Sequence, residues 1–211
     1  MGRPAGRRNP GYEDRRRAIA RKVLQRLAEP EGAKASLRDL AQASGVSVST
    51  LRHYFGDREG ALQAAMREVR ELGEPWLAIA ATDQLELPVR ESLTWFLQLF
   101  VQGWVNGVGA MIGESLAAGT GDEALGMSAI DQVLEPTLAA IEARLAHHQA
   151  AGELDASLDP RHAALSLFSP LLVAMLHQHT WSGARCRPLN VEHFVAEHVE
   201  RFVSGWGPRS E

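Results

Sequence analysis

The chain has a single cysteine, Cys186, in 211 residues. No intrachain disulfide can form, which suits a reducing cytosol. Lysine is nearly missing too: Lys22 and Lys34 stand against twenty arginines, the bias of GC-rich coding sequence. No stretch is long and apolar enough to span a bilayer. The most apolar one, Leu93 to Val101, is interrupted by Gln98. No hydrophobic leader follows the first methionine, since residues 2–17 are rich in Gly, Arg and Pro. Strand-type alternation is lacking throughout. Also missing are a Gly-rich phosphate loop, G-x-S-x-G, H-E-x-x-H and C-x-x-C, and the carboxylates are scattered. The expectation is a cytoplasmic protein that is not an enzyme, with no cofactor, no metal and no membrane partner.

What the sequence does carry is polarised charge. Residues 1–70 hold 15 basic and 8 acidic groups, a net of +7; the rest hold 7 and 18, a net of −11. A basic first third suits a polyanion, and an acidic remainder does not. Hydrophobic residues make up 45% of the chain, enough for one large core or two small ones.

Residues 1–14 contain Gly2, Pro4, Gly6, Pro10 and Gly11 without apolar periodicity and read as a flexible arm. From Arg15 the spacing becomes helical, with Ile19, Val23 and Leu27 on one face, until Pro30 and Gly32. Ser36, with Asp39 three residues on, opens a short helix in the pattern of a capping box. Gly45 falls where a left-handed turn residue belongs, and Ser47 caps the next helix, in which Leu51 and Phe55 face inward. After Gly56-Asp57 a fourth helix runs from Arg58 with Leu62, Ala65, Met66 and Val69 on one side. A helix end and loop are expected near Glu74-Pro75, and Pro88 opens a helix over 89–107 that is apolar nearly all round. Further helices are expected over 110–118, over 126–151 with a kink at Pro136, and from Asp159-Pro160 to Thr180 with a kink at Pro170. After a loop at 181–189, a last helix carries Val191, Phe194, Val195, His198, Val199, Phe202 and Val203 as one stripe. The reading is all-α, about nine helices, with no internal repeat.

Residues 36–55 hold the chemistry. Two short helices around a glycine turn have the layout of a DNA-binding helix-turn-helix. Leu40, Val46, Leu51 and Phe55 lock the pair together. That leaves Ser47, Val48, Ser49, Thr50, Arg52, His53 and Tyr54 for the outer face. Such a helix enters the major groove by its N-terminus, where small polar side chains permit close approach and the dipole favours phosphate. Ser36, at the start of the preceding helix, joins this set. Arg52 suits a guanine edge or a phosphate. Arg58 opens the following helix, where a cation does not complement the dipole, and that placement suits a phosphate contact.

The run Leu40-Ala41-Gln42-Ala43-Ser44-Gly45-Val46-Ser47-Val48-Ser49-Thr50-Leu51, with Tyr54-Phe55-Gly56-Asp57-Arg58-Glu59, resembles the signature of the tetracycline-repressor (TetR) family. Ser44 stands where that family commonly has Ala, Ser49 where it has Gly, Arg52 where it has Tyr, and Arg58 where it has Lys. The resemblance covers roughly residues 13–73. It implies an arm over 1–12, a three-helix helix-turn-helix domain over 13–73, and a helical ligand-binding and dimerisation domain over 74–211. Arg3, Arg7 and Arg8 then resemble a minor-groove-binding arm.

In that family the last two helices form the dimer. The implied interface here is Leu165, Phe168, Leu172, Phe194, Val195, His198 and Phe202, and a two-fold dimer would read a palindromic double-stranded operator. The pocket candidates are Trp95, Leu99, Phe100, Trp104, Met111, Met127 and Met175, a lining that suits a small hydrophobic or aromatic effector. The histidine spacings, 177/179, 147/148 and 193/198, do not converge on a metal. His198 reads as a packed interface residue. Cys186, between Arg185 and Arg187, reads as a bystander thiol or a redox sensor. The function expected is a repressor released by its effector. A regulator without effector, an activator, and a helical protein–protein adaptor remain as alternatives.

Overall fold

The computed structural model describes residues 10–27, 29, 32–105, 113, 116 and 123–207. Among them every regular element is helical. Ten α-helices occur: α1 Pro10–Leu27, α2 Leu37–Ala43, α3 Val48–Phe55, α4 Arg58–Thr82, α5 Val89–Val105, α6 Glu123–Ala129, α7 Glu135–Ala150, α8 Pro160–Met175, α9 Gly183–Cys186 and α10 Val191–Trp206. The chain divides into two compact units. One is Met1–Glu71 with Glu114–Gln132, the other Leu72–Gly113 with Val133–Glu211.

The first unit is built by local chemistry. Ile19, Val23, Leu24 and Leu27 of α1 are buried, as are Leu40 of α2, Leu51 of α3, and Leu62, Met66 and Val69 of α4. Each fully buried aliphatic side chain of this kind contributes about 1.5–3 kcal/mol. Two ion pairs tie α1 to α4, Arg21–Glu68 at 2.9 Å and Arg17–Glu71 at 2.8 Å. The α2–α3 turn depends on Gly45, whose φ of +69° is costly for any residue with a Cβ.

The second unit is a helical core. Leu93, Phe96 and Leu97 of α5, Leu138, Ile141 and Leu145 of α7, Leu167, Phe168 and Leu171 of α8, and Val195 and Val199 of α10 are all buried together. The α7–α8 connection is held from two sides. Leu154 and Leu158 are buried, and Gln149 Nε2 donates to the carbonyls of Asp155 and Leu158 at 3.0 and 2.8 Å. Asp159 caps α8 by accepting from the N–H groups of Arg161 and His162.

Several boundaries differ from expectation. α1 starts at Pro10 rather than Arg15, so residues 10–14 are not part of an arm. Proline at the first helical position lacks only an N–H that would have no partner there, and Glu13 favours the positive helix end. α4 does not stop near Glu74-Pro75 but continues to Thr82. Pro75 and Glu71 are both exposed, so the carbonyl that the proline leaves unbonded faces water. The expected kink at Pro136 is a five-residue π turn, Ile130–Leu134, just ahead of α7. A wider turn carries the backbone past a ring that would otherwise strike the preceding carbonyl. Pro170 is accommodated inside α8, and the helix widens later, at Leu176–Thr180. The loop expected at 181–189 contains α9, pinned where Gln178 receives Leu189 N–H at 3.0 Å and donates to the Arg187 carbonyl at 3.3 Å. The helix expected at 110–118 lies almost wholly outside the described residues.

Candidate nucleic-acid interface

Both short helices start on serine caps. Ser36 and Asp39 form a reciprocal capping box: Asp39 N–H donates to Ser36 Oγ at 3.3 Å, and Ser36 N–H donates to Asp39 Oδ2 at 2.9 Å. Ser36 Oγ also donates to that carboxylate at 2.7 Å. These bonds, the hydroxyl's first, hold the Asp39 carboxyl below its ordinary 3.8. The Ser36 side chain is thus engaged in the cap itself.

Ser47 caps α3. Its Oγ accepts from Thr50 N–H at 3.0 Å and lies 2.8 Å from both Ser49 Oγ and Thr50 Oγ1. Three small hydroxyls therefore cluster at the N-terminal end of α3, where the free N–H groups favour an anion. Ser49, Arg52 and His53 are exposed, and Val48 and Thr50 are half-buried. Leu51 is fully buried beneath them, with Leu40 across the turn, so the outer face rests on a rigid base. Ser44 also fits: its hydroxyl is buried and donates to the Leu40 carbonyl at 2.7 Å.

The far end of α3 is aromatic. Tyr54 is half-buried, with its ring centroid 4.8 Å from that of Tyr12, and Tyr12 meets His53 edge-on at 6.0 Å. Arg16 lies over the Phe55 ring at 5.4 Å. Tyr12 escaped the sequence reading because residues 1–14 looked like an arm, and Arg16 because it read as the polar face of the first helix. The signal was present as a proline start followed by Glu13 in the first turn. Arg58 is half-buried, and its Nε donates to the Ala35 carbonyl at 2.8 Å, linking the start of α4 to the approach to α2. Arg3, Arg7 and Arg8 lie outside the described residues.

In the second unit the expected pocket set separates. Trp104 and Met175 are buried, and Phe100 meets Phe168 edge-on at 4.8 Å and Trp104 at 5.7 Å. These side chains fill a core. Trp95 and Leu99 are half-buried one turn apart on α5. Met127 belongs to the first unit and is 60% exposed, so it lines no enclosed cavity. Met111 lies outside the described residues.

The expected interface set also divides. Phe168, Val195 and Phe202 are buried in the unit's own core. Leu165 is exposed, and Leu172, Phe194 and His198 are half-buried. Phe194 stacks on His198 at 5.7 Å, and His198 Nε2 lies 2.8 Å from the Leu167 carbonyl. Val173 and Trp181, 54% and 56% exposed, extend this apolar face. Beside them Ser169, Pro170, Val173, His177, Trp181 and Phe194 line an open groove of about 550 Å³.

A buried polar chain was not anticipated. Arg144 Nη1 donates to Ser92 Oγ at 2.6 Å, and Ser92 Oγ lies 2.8 Å from His148 Nε2. His148 Nδ1 lies 2.5 Å from Glu153 Oε2. Arg144 Nη2 donates to the carbonyls of Asp83, at 2.7 Å, and Ala80. Burial pushes His148 below its ordinary 6.5, against the opposing pull of the Glu153 hydrogen bond. Among the described residues no group of three or more His, Cys, Asp or Glu side chains could hold a metal. No helix among them is long and apolar enough to cross a membrane.

No protein-family model matches the chain. A segment of 61 residues is 41% identical to the HTH-type transcriptional regulator BetI of Stenotrophomonas maltophilia. That segment is 28% of this chain and 31% of BetI, so the chain matches about a third of that relative's length. The fold likeness is far broader. The flavonoid-responsive regulator FrrA superposes with a TM-score of 0.72 over 94% of this chain and 100% of its own, at 19% identity. A TetR-family transcriptional regulator from Cytophaga hutchinsonii does so at 0.66, covering 97% of this chain and 100% of its own, at 15% identity.

Proposed function

From a chain with the all-helical fold of TetR-family regulators and a segment akin to BetI, we propose a DNA-binding transcriptional regulator that works in the cytoplasm as a homodimer. It binds a palindromic operator through α2 and α3, represses there, and is released by a small hydrophobic or aromatic effector. The observation that carries this reading is the Ser47-capped end of α3. Three hydroxyls gather there, Arg52 and His53 are exposed along the same helix, and Leu40 and Leu51 are buried under it. This is the equipment of a helix that enters a major groove N-terminus first. Arg3, Arg7 and Arg8 add an arm for the neighbouring minor groove.

The apolar strip of exposed Leu165, Val173 and Trp181 with half-buried Phe194 supports pairing of two copies across α8 and α10. FrrA, which responds to flavonoids, supports an aromatic effector. The packing of Phe100, Trp104 and Met175 favours a second reading, a regulator with no effector. Selection of bound sequences from a random DNA pool, with the full-length protein at moderate salt, tests the proposal. Enrichment of a two-fold palindrome with half-sites about one helical turn apart is expected. Only non-specific, salt-sensitive binding would refute it. Screening small molecules for loss of operator binding separates the two readings.

A further inference from the structure

The second unit buries a guanidinium that the charge of Asp83 favours without a direct ion pair. Arg144 on α7 is 1% exposed. It takes part in none of the ion pairs among the described residues. Glu153 faces His148, and Asp83 offers Arg144 its backbone carbonyl, with its carboxylate close enough to favour the cation. The carbonyls of Ala80 and Asp83 lie at the C-terminal end of α4, whose partial negative charge offsets part of the cation's cost. A helix end carries about half a charge and cannot offset all of it.

One guanidinium nitrogen is left over. Arg144 Nε is buried and has no hydrogen-bond partner. The rest of the guanidinium is held by Ser92, Ala80 and Asp83, so this N–H has a fixed direction. The Trp95 and Phe96 rings lie 5.4 and 5.5 Å from the guanidinium carbon. Trp95 is only half-buried, and Leu99, one turn on along α5, is half-buried as well. An oriented, unsatisfied cationic donor beside a partly open aromatic and aliphatic wall matches the two ends of an amphipathic acid.

We propose that Arg144 is the anion-recognition residue of the regulatory unit, and that the effector is an apolar or aromatic carboxylate whose acid oxygen bonds to Nε and whose body lies along Trp95 and Leu99. This inference rests on the effector-responsive reading above and narrows it to a ligand class. A carboxylate at Nε draws on the same guanidinium that closes the Ala80 and Asp83 carbonyls. Binding would thereby loosen the C-terminal end of α4, the differential interaction that any release mechanism requires.

The test uses the full-length protein and two matched pairs of probes, benzoate with benzamide and octanoate with octanamide. Binding is read by calorimetry, and operator release separately by fluorescence anisotropy. At least one acid is expected to bind roughly tenfold or more tighter than its amide, the margin of one charge-assisted hydrogen bond. Arg144→Lys should keep part of that preference and Arg144→Met should lose it. Should Arg144→Met not fold, Trp95→Ala should weaken acid and amide alike while leaving their ratio unchanged. Equal binding of acid and amide, a preference that persists in Arg144→Met, or no binding of any probe at millimolar concentration overturns the assignment. Acid binding without operator release would keep the anion site and sink the effector-release reading. Release by the amides as readily as by the acids would do the reverse.

Discussion

Replacing Ser47 with alanine removes the acceptor for Thr50 N–H at the start of α3 and disperses the hydroxyl cluster with Ser49 and Thr50. Loss of an N-cap costs about 1 kcal/mol, within a range of about 0.5–2. That corresponds to a fall in Tm of roughly 2–8 °C, the larger value applying if the first unit melts alone. Ser47→Asp separates stability from function. The carboxylate caps α3 as well as the hydroxyl does and gains from the helix dipole, so Tm should return to the wild-type value. DNA binding should not return. A carboxylate about 6 Å from a phosphate, at an effective dielectric near 20, costs about 3 kcal/mol before screening. Salt leaves about half of that, so operator affinity should drop roughly tenfold per head. Differential scanning fluorimetry and fluorescence anisotropy on one operator measure the two quantities. An unchanged Tm in Ser47→Ala would show that the cap does not hold α3. Wild-type affinity in Ser47→Asp would show that this end of the helix does not approach DNA, and the interface would have to be sought elsewhere.

Arg52→Ala should weaken operator binding by about 1–3 kcal/mol and relax specificity at one base pair if Arg52 reads a guanine, or shallow the salt slope by about one if it grips a phosphate; affinities for point-mutated operators at several salt concentrations distinguish these, and no change in either would remove Arg52 from the interface. Phe194→Glu, aimed at the strip that Leu165 and Val173 continue, should shift the protein to monomer in sedimentation velocity, and an unchanged dimer would place the contact on another face. Leu51→Ala empties a fully buried site and should cost about 2–5 kcal/mol by denaturant titration; a loss under 1 kcal/mol would contradict the rigid base assigned to α3. Burial keeps His148 below its ordinary 6.5, so the unfolded chain takes up a proton there more readily than the folded one. Stability is therefore complete above about pH 6.5 and falls as pH drops below it. His148→Gln should flatten the Tm profile between pH 8 and 5 relative to wild type, and parallel profiles would refute the assignment.

The helix-turn-helix was legible because its determinants are local. Ser36 with Asp39, Gly45 and Ser47 each act within a few residues of themselves, and each does in the structure what its spacing implies. Prolines were legible as disturbances but not as outcomes. Pro75 and Pro170 are exposed within continuous helices, and solvent exposure is not written in the residue itself. The stripes of α8 and α10 had the right period, yet period does not tell which flank of a wide stripe meets the chain's own core. Phe168, Val195 and Phe202 fell inside, and Leu165 with Val173 stayed outside. The pocket set divides for a related reason. Trp104 and Met175 satisfy the same apolar pattern whether they fill a core or line a cavity.

The Arg144 chain was illegible because its members are far apart in sequence and unremarkable one at a time. Once assembled, Ser92, His148 and Glu153 follow the order of a nucleophile, its base and an orienting acid, so geometry alone would suggest a hydrolase. The donors decide otherwise. Arginine can only donate, so Ser92 Oγ accepts from Arg144 Nη1, which leaves its own proton free to turn toward His148 Nε2. A neutral His148 with its proton on Nδ1, toward the Glu153 carboxylate, is compatible with that arrangement. A guanidinium that donates to the Ser92 oxygen draws electron density from it and weakens it as a nucleophile. The same accounting gives the chain a different use. Every group from Glu153 to Ser92 has its partner, and within this network Arg144 Nε is the nitrogen left without one. The polar network thus fixes the guanidinium and leaves its Nε without a partner, with the Trp95 ring 5.4 Å from the guanidinium carbon. That arrangement suits the recognition of an acid, not its hydrolysis.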